Sequence, residues 1–190
     1  MPETAPRILA FAGSLRKGSL NRKLLRYAIA GAVEAGGQVE ELGPEHLELP
    51  LYNGDLEEGG RFPAEVETWR AKVKGCDGLL IASPEYNHGM SGVLKNAIDW
   101  ASRPPNVFDG KVAASFGTTP GLYGTARSQM SVRICLTPLN VWVVPKTVLI
   151  PLAGQAFDEA GNLQSEKFAQ DLVAIGRIVV RAVQAGLGRL

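Results

Sequence analysis

Gly78-Leu79-Leu80-Ile81-Ala82-Ser83-Pro84-Glu85-Tyr86-Asn87 sets the fold of this 190-residue chain. Its first five residues form an apolar run of strand length, the pattern of a buried strand in a parallel sheet. Ser83-Pro84 stops the run, because proline fixes one φ angle and disfavours helix at the residue before it. From Ser91 to Ala101 the apolar side chains Val93, Ala97 and Trp100 recur on one face, which predicts a helix. The unit is therefore strand, polar loop, helix.

The same unit repeats outward in both directions. Upstream, Ile8–Ala12 reads as a strand followed at once by Gly13-Ser14. Leu20, Leu24, Ala28 and Ala32 then keep helical spacing until Gly36-Gly37 ends it. Gln38–Leu42 is a short strand, Gly43–Gly60 a long Pro- and Gly-rich loop, and Pro63–Lys74 a helix carrying Val66, Trp69, Ala71 and Val73. Downstream, Lys111–Phe116 is a strand, Ala126–Leu136 a helix and Val141–Val144 a fifth strand. A turn at 158–162 precedes a last helix from about Gln164 to Ala185, with Phe168, Leu172, Ile175, Val179 and Ala182 as its buried stripe. Alternation of this kind gives an α/β fold, a doubly wound parallel sheet with helices on both faces. No repeat, low-complexity tract or linker interrupts it, so residues 1–190 read as one domain.

Composition narrows the function classes. Hydrophobic residues make up 45% and charged residues 21%, ordinary for a globular chain, and the net charge is +1. That balance gives no reason to expect nucleic acid, and neither a polybasic run nor an apolar stretch of membrane-spanning length is present. The polar N-terminus lacks a signal peptide's apolar stretch. Cys76 and Cys135 form no Cys-x-x-Cys pair and read as reduced core residues of a cytoplasmic protein. With only His46 and His88, no zinc-ligand spacing exists.

Ligands of doubly wound sheets bind beyond the carboxyl ends of the strands, which singles out the loops at 13–20, 83–91 and 117–125. The first, Gly13-Ser14-Leu15-Arg16-Lys17-Gly18-Ser19-Leu20-Asn21, joins a glycine turn to a helix start. Backbone N–H groups and the positive helix end favour an anion there. The hydroxyls of Ser14 and Ser19, the amide of Asn21 and the guanidinium of Arg16 could complete a phosphate cradle. Gly13 and Gly18 have the spacing of a nucleoside-triphosphate loop, but Ser19 stands where lysine is needed. No Gly-x-Gly-x-x-Gly fingerprint follows the strand, so a mononucleotide fits better than a dinucleotide. The bland alternative is that Ser19 only caps the helix and the basic residues are solvated.

In the second loop Tyr86 offers a flat face for a planar ring, with an ordinary half-buried aromatic as an equal reading, and Asn87 with neighbouring N–H groups could bond the ring's edge. His88 reads as a loop side chain, Met90 as packing, Trp100 as core or interface, and Lys95 with Asp99 as a surface ion pair at i,i+4.

Taken together, these words resemble the NADPH-dependent FMN reductases, the family of bacterial chromate and quinone reductases. The matching segments are 13–21, then Pro84-Glu85-Tyr86-Asn87, then Leu94-Lys95-Asn96-Ala97-Ile98-Asp99-Trp100, and Gly121-Leu122-Tyr123-Gly124-Thr125-Ala126-Arg127. The resemblance runs from about Arg7 to Ala185. It implies a flavodoxin-like, five-stranded sheet of order 2-1-3-4-5 that holds FMN. Carried over by position, Ser14, Arg16, Ser19 and Asn21, with Leu20 beside them, surround the FMN phosphate. Pro84, Glu85, Tyr86 and Asn87 line the isoalloxazine, and Thr118 and Gly121 close its other side. Tyr123 and Arg127 are candidates for contacting the nicotinamide nucleotide or an anionic acceptor, although a structural ion pair is an equal reading of Arg127. The family often has proline where this chain has Ser91, and serine there can cap the following helix.

The implied activity is transfer of electrons from NADPH or NADH to a small acceptor such as a quinone, free flavin or chromate. Because the flavin carries the chemistry, no side chain is expected to act as acid, base or nucleophile. The resemblance also implies a homodimer or homotetramer. Two other readings of the residues stand beside it. One is a flavodoxin-type electron carrier, against which the net charge of +1 argues. The other is a cofactor-free protein that binds a phosphorylated ligand through the first loop.

Overall fold

The computed structural model describes residues 4–188. Six strands form one parallel sheet: β1 (Arg7–Ala12), β2 (Gln38–Glu41), β3 (Gly78–Ala82), β4 (Val112–Thr118), β5 (Trp142–Val143) and β6 (Val148–Ile150). Their order is β2-β1-β3-β4-β5, and β6 also pairs with β4. The helices are α1 (Leu20–Glu34), α2 (Ala64–Gly75), α3 (Gly92–Ala101), α4 (Ala126–Leu136), α5 (Ala153–Ala156) and α6 (Glu166–Gln184).

The expected 2-1-3-4-5 order is the one observed, with one correction to the strand count. The fifth place beside β4 is filled by two short strands in succession. β5 aligns Trp142 with Val112, and β6 aligns Val148 with Phe116. Pro145 lies between them and has no N–H to give to a ladder. Arg133 donates instead to the carbonyls of Val144 and Pro145, at 2.5 and 3.2 Å. The long loop at 43–60 also contains two 3-10 turns, Pro44–Leu47 and Gly54–Gly60. Pro44 opens the first, and the Asn53 side chain accepts from the Asp55 N–H to cap the second. Of the turn at 158–162, the N–H of Asp158 donates to the Asn162 carbonyl at 2.8 Å.

Alternating strand residues feed two cores, one on each face. Ile8, Ala10, Ala12, Leu80, Ala82, Val112, Ala114 and Phe116 pack with Leu24 and Ala28 of α1 and with Leu172, Ile175 and Val179 of α6. Leu9, Phe11, Leu79, Ile81 and Ala113 face α2, α3 and α4, where Trp69, Trp100, Leu94 and Val132 are buried. This is the period-2 division of a sheet covered on both sides. Leu172, Ile175, Val179 and Ala182 are buried as their spacing predicts, and Phe168 is partly so.

α1 and α6 touch through glycine. A Cβ on Gly31 would lie 1.9 Å from the Val173 carbonyl oxygen, and one on Gly176 1.9 Å from that of Ala28. The two backbones therefore meet directly. Of the cysteines, Cys76 is buried, and burial pushes its thiol up to about 11. Cys135 on α4 is half-buried and packs against the edge of the core. Among the described residues no helix is long and apolar enough to cross a membrane. None of their His, Cys, Asp and Glu side chains cluster as a metal site.

Candidate cofactor site

The loops that follow β1, β3 and β4 converge at one end of the sheet. Gly13 leaves β1 with its N–H on the Ala82 carbonyl at 2.9 Å, which binds the first loop to the end of β3. Ser19 is the N-cap of α1, its hydroxyl oxygen accepting from the Arg22 N–H at 3.3 Å. The capping reading of Ser19 is therefore observed, and its hydroxyl proton remains for a ligand. The N–H groups of Leu20 and Asn21 lie ahead of the first helical hydrogen bond, from Lys23 to the Ser19 carbonyl. Ser14 is buried and accepts from the Arg16 N–H at 3.4 Å. Arg16 is exposed, and among the described residues its guanidinium has no hydrogen-bond or ion-pair partner.

Asn21 has a second task. Its amide accepts from the Thr118 N–H at 2.9 Å and donates to the Thr118 carbonyl at 3.0 Å, so it closes α1 onto the tip of β4. The Thr118 hydroxyl donates to the Ile150 carbonyl at 2.9 Å, fixing β6 in turn. Gly117, just before it, has no room for a side chain, since a Cβ would lie 2.2 Å from the Ser83 carbonyl oxygen.

After β3 the chain makes a two-residue hairpin. The N–H groups of Tyr86 and Gly89 donate to one another's carbonyls at 3.0 Å, and Asn87 and His88 between them have φ of 47° and 64°. Positive φ at both central positions is the type I′ turn, which suits Asn and suits Gly better than His. His88→Gly is therefore expected to add roughly 0.5 kcal/mol and to raise the thermal midpoint by roughly 1–2 °C. A melt of the two proteins checks it, and an unchanged or lower midpoint would mean that the turn is not strained.

Ser14, Arg16, Ser19, Leu20, Asn21, Pro84, Glu85, Tyr86 and Thr118 line one pocket, joined by Thr119, Pro120 and Ala153. It opens beside a larger one of about 480 Å³ between Gly13–Arg16, Tyr86 and Ser91–Val93. The sequence had not singled out Thr119, Pro120 or Ala153. The first two stand in the loop after β4 and carried a signal there, whereas Ala153 arrives through α5, which its sequence did not announce. Asn87 sits at the exposed hairpin tip, and Gly121 accepts from the Leu152 N–H at 3.1 Å, so neither lines the pocket.

The Glu85 side chain turns away from the opening. Its carboxylate accepts from the N–H groups of Arg127 and Ser128 at 2.9 and 3.1 Å, capping α4. It also ion-pairs with the Arg127 guanidinium at 3.6 Å. The structural ion pair of Arg127 is thus present, and the same guanidinium lies 5.2 Å from the Tyr123 ring centre. Lys95 and Asp99 pair at 2.6 Å on α3, and Met90 and Trp100 are buried.

The donor set suits a phosphomonoester. Hydroxyls, helix-opening N–H groups and an unpaired guanidinium gather at one end, and the nearest carboxylate is spent on α4. A proline and a half-exposed tyrosine supply the apolar wall that a flat ring system needs.

Residues 6–155 match the family model described as NADPH-dependent FMN reductase. The chain belongs to this family. As an NADPH-dependent FMN reductase family member it is an oxidoreductase. It is 46% identical over 169 residues to the NAD(P)H-dependent FMN reductase of Pseudomonas aeruginosa, covering 88% of this chain and 89% of the relative. It is 44% identical over 167 residues to the NADPH:quinone oxidoreductase of Arabidopsis thaliana, covering 84% and 83%. Among solved structures, the flavoenzyme NAD(P)H:(acceptor) oxidoreductase of Paracoccus denitrificans superposes with a TM-score of 0.78 at 30% identity, over 95% of this chain and 98% of that one. A flavodoxin from an archaeon superposes with a TM-score of 0.65 at 11% identity, over 94% and 99%, and shares the flavodoxin-like fold alone.

Proposed function

We propose that the cleft holds FMN and that the chain moves electrons from NADPH or NADH to a small acceptor, a quinone, free flavin or chromate, by a ping-pong mechanism in the cytoplasm. The observation that carries this reading is the juxtaposition of an unpaired Arg16 and the α1 N-terminus with the Pro84–Tyr86 wall in one pocket. Ser14, Arg16, Ser19 and the opening N–H groups of Leu20 and Asn21 hold the phosphate. Pro84, Tyr86 and the backbone of Glu85 border the ring, with Asn87 at its rim. Thr118, through its links to Asn21 and Ile150, fixes the far wall, and Gly121 fixes the loop beyond it. When bound, FMN would supply the redox chemistry between nicotinamide and acceptor.

The residues around the opening bind and orient the diffusing partners. Tyr123 is exposed and stacks against Arg127, whose charge is only partly met by Glu85. Together they offer a ring face and a cation to a nucleotide phosphate or an anionic acceptor. A groove of about 540 Å³ runs from His88 and Arg127 past the exposed Met130 and Ile134. This apolar face supports assembly as a homodimer or homotetramer.

Initial rates test the mechanism. With NADPH varied at several fixed quinone concentrations, parallel double-reciprocal lines are expected, since donor and acceptor use one open face in turn. Intersecting lines would mean that both bind together and would remove the ping-pong element.

A further inference from the structure

Ser91 is fully buried and uses both sides of its hydroxyl. It donates to the Gly13 carbonyl at 2.6 Å and accepts from the Leu94 N–H at 3.4 Å as the N-cap of α3. Gly13 is the first residue of the loop that opens the phosphate end of the cleft. Three polar groups set the course of the backbone there. The Gly13 N–H goes to the Ala82 carbonyl and the Ser14 N–H to the Ala12 carbonyl, both backbone to backbone. The Gly13 carbonyl alone is held by a side chain. The fit is close as well, because a Cβ on Gly13 would lie 3.0 Å from the Ser91 hydroxyl oxygen.

We infer that Ser91 is a positioning residue for the cofactor phosphate, acting through Gly13, an inference that rests on the FMN reading above. A carbonyl oxygen is an acceptor with partial negative charge. Turned into the cleft, it would repel a phosphate and swing Ser14 out of the pocket that Ser14 now lines. Ser91 holds that oxygen towards the start of α3. One side chain thereby ties the loop that meets the phosphate to the segment that carries Tyr86, and the larger pocket between them is bounded by both. The tie adds no contact to the ligand. It keeps the cradle in its binding geometry before the ligand arrives, which lowers the cost of binding.

The test compares two flavins that differ only in the phosphate. The full-length protein, freed of flavin, is titrated with FMN and with riboflavin by fluorescence quenching, in wild type, Ser91→Ala and Ser91→Thr. Ser91→Ala is expected to weaken FMN about tenfold, the effect of losing one buried hydrogen bond that holds the cradle in its binding geometry. Riboflavin, which does not reach the phosphate cradle, should change less than about twofold, and Ser91→Thr, which keeps the donor, should restore most of the FMN affinity. Because α3 also loses its cap in Ser91→Ala, thermal midpoints are recorded alongside. Partial unfolding weakens both flavins by the same factor, so the ratio of the two constants reads the phosphate alone. An FMN constant unchanged in Ser91→Ala, or equal losses for FMN and riboflavin, would overturn the role of Ser91 while leaving the FMN site intact. A wild-type protein that binds neither flavin would overturn both.

Discussion

Gly176→Ala is expected to lower the stability of the fold by about 3 kcal/mol, the upper end of what overpacking a core costs. The added Cβ would stand 1.9 Å from the Ala28 carbonyl oxygen and 2.7 Å from the Ala32 N. Both are main-chain atoms of α1, so no rotamer change relieves the clash, and α1 and α6 have to move apart. Moving them opens the core in which Leu24, Leu172, Ile175 and Val179 are buried. The intrinsic helix preference for alanine over glycine, about 1 kcal/mol, works in the opposite direction and is outweighed. At 190 residues the loss corresponds to a fall in thermal midpoint of roughly 6–12 °C. Gly75→Ala is the matched control, because nothing lies within 4 Å of its added Cβ. It should leave the midpoint unchanged or slightly raised. Equal behaviour of the two variants would mean that the helices are not in backbone contact.

Arg16→Ala is expected to weaken FMN about 30-fold and to leave riboflavin almost unchanged. The guanidinium lines the pocket without a carboxylate of its own, so its whole charge is available to a phosphate near −2 at neutral pH. A hydrogen bond to a charged group contributes about 1.5–3 kcal/mol, and exposure of Arg16 places it near the middle of that range. Arg16→Lys should recover part of the loss, keeping the charge but not the planar fork. Equilibrium titration at two salt concentrations checks it, since the difference between wild type and Arg16→Ala should shrink as salt screens the pair. Equal weakening of both flavins would move Arg16 away from the phosphate.

Much of this architecture was legible because strand and helix periods differ. Gly78–Ala82 and Ala126–Leu136 occupy the residues their patterns predicted, and the alternation of elements announced a doubly wound parallel sheet, whose order came from the family resemblance. What the patterns missed was made by contacts distant in sequence. Val148–Ile150 is too short to show a period, and it became a strand because the Thr118 hydroxyl and the edge of β4 held it. Gly31 and Gly176 look like weak points of their helices, and only the approach of α1 to α6 explains them. In the site, residue types announced that Ser14, Arg16, Ser19 and Asn21 would gather at one opening, because a helix start and an Arg act locally. The Asn21 link to Thr118 spans 97 positions and had no local sign. Glu85 was placed against the ring by the family resemblance, whereas its carboxylate is spent on the start of α4, 42 residues on.

The most direct measurement is the visible spectrum of the purified protein, desalted after addition of FMN and then titrated anaerobically with NADPH. A flavin band that stays with the protein and bleaches in proportion to the NADPH added is the predicted result. A band that stays but resists both NADPH and NADH would make the protein an electron carrier. No retained band would contradict the account, and the cradle at 13–21 would then serve another phosphate.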